Sequence, residues 1–92
     1  MPKITLTVNH AAGLHARPLA QFVKTVRGFD AEVKVKNLTQ DKGPVNGASP
    51  LELLLLATLN GHQIEIETSG NQADEVLEAL EELVNSNFGE TE

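Results

Sequence analysis

Polar and apolar residues alternate along three short segments of the chain, and apolar residues recur at helical spacing along three others. Alternation puts the apolar side chains of an extended segment on one face, so it predicts half-buried strands. Recurrence at the helical period predicts helices that each bury one stripe. Strands are therefore expected at residues 3–8, 31–36 and 63–68, and helices at residues 16–27, 50–59 and 73–84. A shorter strand is expected at residues 42–46, at an edge of the sheet or irregular, because Pro44 cannot donate to a central ladder.

The second predicted helix has a compact start signal. Ser49 is a preferred N-cap residue, Pro50 suits the first helical position, and Glu52 stands where a capping box places its acid. One face of this helix carries Leu51, Leu54, Leu55 and Leu59. Leu53 and Leu56 fall elsewhere on the helix, where they predict either a second buried contact or an exposed apolar patch.

The predicted element order is β-α-β-β-α-β-α. Every strand has only one apolar face, so the helices must cover that face of the sheet while the other face meets water. We therefore expect an α+β fold, an open-faced two-layer β-sandwich, as one domain over residues 1–92. Residues 37–43 are expected to form a polar hairpin, and residues 85–92 a frayed tail.

Composition narrows the class of partner and the compartment. The formal net charge of −6 argues against nucleic acid as a partner. The longest apolar run, Leu53–Ala57, is too short to span a bilayer, so we expect no membrane insertion. Met1-Pro2-Lys3 leads directly into a strand pattern rather than a signal peptide, and the chain has no cysteine. These features are typical of a cytoplasmic protein.

The segment Gly13-Leu14-His15-Ala16-Arg17-Pro18 lies between the first predicted strand and the first predicted helix. Pro18 suits the first turn of a helix, where a missing N–H costs least. His15 is then next to the backbone N–H groups of Ala16 and Arg17, at the positive end of a helix dipole. These N–H groups and the Arg17 guanidinium suit a phosphate, and a neutral imidazole is a nucleophile that can accept one.

These residues resemble the active-site signature of the HPr family, the histidine-containing phosphocarriers of the bacterial phosphoenolpyruvate-dependent phosphotransferase system. The resemblance extends from Ile4 to Leu83 and includes the Val-Asn-Gly-Ala-Ser segment at 45–49. It implies a four-stranded antiparallel sheet covered on one face by three helices. It also implies that His15 is phosphorylated on Nδ1, with Arg17 stabilising the phosphate. Enzyme I would then be the donor, and EIIA domains of sugar permeases the acceptors. The hairpin at 37–43 is a few residues longer than in the usual family pattern.

The resemblance also places a partner-docking surface on the first two helices. Its expected members are Lys24 and Arg27, which would steer an acidic partner, and the apolar residues Leu51, Leu54 and Leu55, with Leu53 or Leu56 as further candidates. Charge alone favours ordinary solvated helix faces over such a surface.

Ser49 falls at the position of a regulatory serine that an HPr kinase/phosphorylase modifies in many Gram-positive relatives. Pro50 departs from that pattern, since an aliphatic residue usually follows the serine there. Glu52 would repel a phosphate on Ser49, whereas the helix N-terminus would attract it by roughly 0.3–1 kcal/mol. Capping alone accounts for Ser49, and regulation is the less favoured interpretation.

Other interpretations of the chain keep the carrier chemistry or abandon it. The protein could serve a nitrogen-related or dihydroxyacetone-kinase branch, or act as a regulatory interaction module that carries no phosphate. His15 and Arg17 both count against the last of these. The chain has no cofactor motif, and a metal site from His10 and His15 would lack further clustered ligands. His10 and His62 are expected to be ordinary surface residues, and the protein a monomer that forms a phosphohistidine rather than a turnover enzyme.

Overall fold

A computed structural model describes residues 2–8, 16–56 and 61–86 of the chain, with only the backbone described for Ala16 and Arg17. Its seven elements follow the order predicted from the sequence, β-α-β-β-α-β-α. They are β1 (Lys3–Thr7), α1 (Ala16–Arg27), β2 (Glu32–Asn37), β3 (Lys42–Asn46), α2 (Pro50–Leu55), β4 (Gln63–Ser69) and α3 (Ala73–Asn85). Within these ranges, no helix is long and apolar enough to cross a membrane.

The four strands form one antiparallel sheet in the order β1-β4-β2-β3. This confirms the expected fold, and it puts β3 at an edge, which is one of the two alternatives that Pro44 left open. An edge strand has one row of backbone groups without a sheet partner, so a residue that lacks an N–H disrupts no central ladder there.

One face of the sheet is buried and the other is polar. The two central strands, β2 and β4, send Val33, Val35, Ile64 and Ile66 into the core, each at most 2% exposed. The helices cover this face with their own apolar stripes, and the largest fully buried side chain is Phe22 of α1. The opposite face carries charged side chains in complementary register, such as Lys34 beside Glu67. The buried face therefore fixes the register of the sheet, since a one-residue slip would turn these apolar side chains to water.

Several predicted boundaries differ from the structure. Strands β1, β2 and β4 differ by one residue at one or both ends, and α2 ends at Leu55 rather than at residue 59. Asn37 was expected in the polar hairpin, but it is the last residue of β2, and its side chain is completely buried. The turn occupies residues 38–41 and includes Asp41, whose φ of 53° lies in the left-handed region. The tail predicted from residue 85 was also wrong at its start, because α3 includes Asn85. The backbone N–H of Ser86 still donates to the Glu82 carbonyl at 2.9 Å, and residues 87–92 lie outside the described residues.

Helix α2 turns to water the face that its leucine spacing singled out, the face of Leu51, Leu54 and Leu55. Leu53 and Leu56 are buried in the core, which is the first of the two alternatives left open for them. Because they are buried, Leu53 and Leu56 cannot belong to the docking surface. The three other leucines of α2 are exposed: Leu51 by 69%, Leu54 by 57% and Leu55 by 67%. Helical spacing identifies apolar faces, but a helix with leucines almost all round gives no sign of which face meets the sheet. Leu59 lies outside the described residues.

The burial of these leucines predicts a contrast in stability between two truncations on the same helix. We expect Leu53→Ala to lower the free energy of unfolding by about 2–5 kcal/mol, because it leaves a cavity in the core. Leu54→Ala should change that free energy by less than about 0.5 kcal/mol, because its side chain already contacts water. Urea unfolding of both variants measures the difference. Equal losses would contradict the assignment of the two faces.

Candidate functional site

Helix α1 begins at Ala16, one residue after His15 in the chain. The start of this helix is as predicted, and Pro18 lies in its first turn with its side chain buried. The first N–H groups of any helix lack intrahelical acceptors, so the backbone at Ala16 and Arg17 presents the positive end of the α1 dipole. His10, His15 and the side chain of Arg17 lie outside the described part of the structure, so their roles stay predictions.

The position of α1 is set by its buried stripe. Leu19, Phe22, Val23 and Val26 recur at helical spacing, and all four are buried in the common core. The helix packs against both α2 and α3. The core thus fixes the position of the amino-terminal end of α1. A fixed helix end suits a site whose hydrogen-bond donors, the first backbone N–H groups of α1, must be pre-organised.

A groove runs between α1 and the start of α2, with a volume of about 720 Å³. The described residues that line it are Leu19, Ala20, Val23, Lys24, Arg27, Gly28 and Pro50. These are mainly apolar, and the two charged residues among them are both cations. The structure therefore brings together two predicted docking residues, Lys24 and Arg27, with the first residue of the helix that carries the three exposed leucines.

The two cations of the groove differ in their contacts. The Arg27 guanidinium reaches across the groove, where Nη2 donates to the Ala48 carbonyl at 3.1 Å. Arg27 thus fastens the carboxyl-terminal end of α1 to the turn before α2, as well as adding positive charge. Lys24 lies one helical turn earlier with an exposed side chain, where a flexible ammonium group suits steering of an acidic partner.

Ser49 caps α2 as predicted. Its φ and ψ of −107° and 111° are those of an N-cap, and its Oγ accepts from the Glu52 backbone N–H at 3.3 Å. The return bond of a capping box is absent, because the Ser49 N–H donates instead to the Asn46 carbonyl at 3.1 Å. The Glu52 carboxylate accepts from the Asn46 N–H at 3.2 Å. Glu52 therefore ties α2 to the end of β3 rather than closing a capping box, and that part of the prediction was wrong.

Asn37 was not singled out in the sequence, and His62 was expected at the surface. The structure places the Asn37 amide Nδ2 3.2 Å from His62 Nδ1 and 3.2 Å from the carbonyl oxygen of Leu56. The His62 side chain is half-buried just before β4. A run of polar residues after a strand gives no signal that one of them turns inward, so sequence patterns could not find this pair. Across residues 2–8, 16–56 and 61–86, no three His, Asp or Glu side chains cluster in a way that could hold a metal ion.

Comparisons with known proteins agree with this geometry. A family model described as "PTS HPr component phosphorylation site" matches residues 2–86. The chain is 39% identical over 88 residues to phosphocarrier protein NPr of Escherichia coli K12, covering 96% of each chain. It is also 39% identical over 92 residues to phosphocarrier protein HPr of Neisseria meningitidis serogroup B, covering all of both. A multiphosphoryl transfer protein of Salmonella typhimurium matches at 32% identity, over 90% of this chain and 22% of that protein.

Solved structures show the same fold. The crystal structure titled HPr-C-His from Thermoanaerobacter tengcongensis superimposes with a TM-score of 0.92 at 30% sequence identity, covering 100% of both chains. An HPr from Bacillus anthracis superimposes with a TM-score of 0.83 at 35% identity, covering 90% of this chain and 95% of that one.

The contacts of Ser49 predict that its hydroxyl stabilises the start of α2. We expect Ser49→Ala to lower the free energy of unfolding by about 1 kcal/mol, because the Glu52 N–H loses its acceptor. Ser49→Asp is the matched control, since aspartate also accepts at an N-cap and should restore most of this free energy. Thermal unfolding of both variants tests the assignment. A loss in Ser49→Asp as large as that in Ser49→Ala would contradict it.

Proposed function

Because the chain belongs to the HPr family of phosphocarrier proteins of the phosphotransferase system, we propose that it accepts a phosphoryl group on His15 and passes it to a second protein. The observation that carries this proposal is the start of α1 at Ala16, one residue after His15, within a match to a family model of a phosphorylation site. A histidine at that position lies where a helix end favours an anion.

In the proposed transfer, the lone pair of His15 Nδ1 attacks the phosphorus atom of a phosphorylated donor protein. The new nitrogen–phosphorus bond forms as the bond from phosphorus to the donor atom breaks, so the phosphoryl group moves without water. The N–H groups at the start of α1 and the Arg17 guanidinium would stabilise the phosphoryl oxygens. The positive helix end also disfavours an imidazolium, which keeps His15 neutral and nucleophilic.

The proposed partners are enzyme I as the donor and EIIA domains as acceptors. The α1/α2 surface, made of Lys24, Arg27, Leu51, Leu54 and Leu55, supports this proposal because it combines exposed leucines with cations. Large apolar side chains rarely gather on a surface without a partner, and a cationic rim favours one with an acidic rim. A protein that must release each partner in turn needs only a small interface of this kind.

Two acceptor branches follow from the relatives. We propose EIIA domains of sugar permeases as acceptors, because the resemblance to the HPr family implies that branch. The NPr of Escherichia coli, at 39% identity, favours a nitrogen-related branch as the second candidate. Purified EIIA domains of each branch, supplied in turn with the labelled carrier, would separate the two by their rates of dephosphorylation.

Phosphorylation of Ser49 by an HPr kinase/phosphorylase stays a secondary proposal. Ser49 is half-buried and its hydroxyl already accepts a hydrogen bond from the Glu52 N–H, so capping accounts for its place in the fold. A kinase would have to add a phosphate beside the Glu52 carboxylate, which the Asn46 N–H holds.

The proposal predicts a phosphohistidine at His15. We expect incubation with labelled phosphoenolpyruvate and enzyme I from the same organism to give an acid-labile, alkali-stable label on the protein. His15→Ala should carry none of this label, because it removes the accepting nitrogen, whereas the control His10→Ala should carry all of it. A label that survives in His15→Ala would overturn the assignment of the residue. An unlabelled wild-type protein, beside a labelled known phosphocarrier, would overturn the carrier function and favour a regulatory module.

The α1/α2 surface predicts a second result. We expect the double variant Leu51→Ser, Leu54→Ser to raise the KM for the transfer from enzyme I by about tenfold, since each lost apolar contact costs about 0.5–1 kcal/mol of binding. The unfolding free energy should stay unchanged, because both side chains are exposed. Glu78→Ser, at an exposed position on α3, is the control. An unchanged KM in the leucine variant would place the docking surface elsewhere.

A further inference from the structure

We propose that Asn37 is a positioning residue: it clamps the carboxyl-terminal end of α2 to His62 and selects the tautomer of the His62 imidazole that has its proton on Nε2. The clamp would set the position of the exposed leucines of the α1/α2 surface. This inference rests on the docking role proposed for that surface, although its chemical part can be tested without any partner.

Every polar group of the Asn37 side chain has a partner. The Oδ1 atom accepts from the backbone N–H of Gln40 at 3.0 Å. The Nδ2 atom donates to the Leu56 carbonyl at 3.2 Å and lies 3.2 Å from His62 Nδ1. An amide has two N–H donors, so one serves Leu56 and the other serves His62. The side chain is completely buried, where an unmade bond would cost more than at the surface.

The two backbone partners fix which way the amide points. If the amide were flipped, its NH₂ group would face the Gln40 N–H and its oxygen would face the Leu56 carbonyl. Both contacts would pair like with like, so the flipped form loses two hydrogen bonds. Nδ2 is therefore a donor toward His62, and His62 Nδ1 has to accept. A neutral imidazole that accepts at Nδ1 carries its proton on Nε2.

Helix α2 needs such a support because it has only six residues. A helix this short is unstable alone, and the last carbonyls of a helix have no intrahelical donors. Leu56 is the C-cap residue of α2, and its carbonyl receives the Asn37 amide. Ser49 caps the other end. Both ends of the helix are thus fixed by side chains, while its exposed leucines add little to its stability.

The same amide fastens the start of β4. His62 precedes that strand, and its carbonyl accepts from the Val8 N–H at 2.9 Å. The Asn37 side chain, at the end of β2, thus joins Leu56 at the end of α2 to His62 before β4. A partner that binds α2 then meets leucines already held in place, and less conformational entropy is lost on association.

The tautomer is tested by the ¹⁵N chemical shifts of the His62 ring in labelled protein at pH 8. We expect a bare Nδ1 and a protonated Nε2 in the wild type. Asn37→Asp keeps the acceptor for Gln40 but offers His62 only an acceptor, so we expect the proton to move to Nδ1. A protonated Nδ1 in the wild type, or the same tautomer in both proteins, would overturn the clamp.

The positioning role is tested by amide hydrogen exchange in Asn37→Leu, which keeps the volume of the side chain and removes its hydrogen bonds. We expect exchange of the Leu53 and Leu56 amides to rise at least tenfold more than exchange of the Ile64 and Ile66 amides in β4. Asn85→Leu, at an exposed position on α3, is the matched control and should change neither set. An equal rise at all four amides would show a merely structural role and overturn the proposal.

Kinetics connects the clamp with docking. In Asn37→Leu we expect the KM for transfer from enzyme I to rise several-fold while kcat stays unchanged.

If Asn37→Leu does not fold, His62→Ala removes one bond of the clamp at a half-buried site, and His62→Asn replaces Nδ1 with an acceptor that cannot be protonated. Rescue of the KM by His62→Asn but not by His62→Ala supports the clamp, and an equal KM in both overturns it. Loss of the label at His15 would instead refute the phosphocarrier function and leave the ¹⁵N and exchange results standing.

Discussion

The burial of one face of the sheet is the constraint on which the rest of the structure depends. Val33 and Val35 of β2 and Ile64 and Ile66 of β4 can leave water only if helices cover them. Each helix in turn has an apolar stripe that no other surface of so small a domain could bury. The buried face of the sheet therefore fixes the position of α1, and with it the position of Ala16, the residue after His15 at which α1 begins.

Helix α2 shows how a binding face and a stable helix can coexist. A short helix is usually held by burial, yet here three of its leucines are exposed and only Leu53 and the cap residue Leu56 enter the core. Hydrogen bonds add to the stability that this limited burial gives the helix. Ser49 accepts one at its start, Glu52 accepts one from the end of β3, and Asn37 donates one to the carbonyl of its C-cap residue. Burial and capping together free the remaining face for partners.

The arrangement also fits the demands of a carrier that exchanges partners. His15, the proposed nucleophile, directly precedes in the chain a helix that is fixed by its own buried stripe, and the exposed leucines are on a different helix. Among the described residues that line the groove between α1 and α2 there are two cations and no carboxylate. In the proposed carrier, chemistry and recognition would be carried by different elements of one scaffold, so that one phosphorylation site would serve several partners with a single surface.

Some of these properties were determined by the sequence alone. The element order, the span of α1 and the cap at Ser49 all follow from local periodicity and capping chemistry, which act within a few residues. The family also follows, because the hexapeptide around His15 is a local signal.

Only the tertiary structure decided which leucines of α2 face the sheet, where the Glu52 carboxylate bonds, and that Asn37 lies inside the fold beside His62. Each of these depends on a contact between segments distant in sequence, and local patterns carry no information about such contacts. Leucines surround most of α2, so its hydrophobicity leaves the buried face open until the sheet is in place. Asn37 resembles any polar residue before a turn until Leu56 and His62 approach its amide and make its burial favourable.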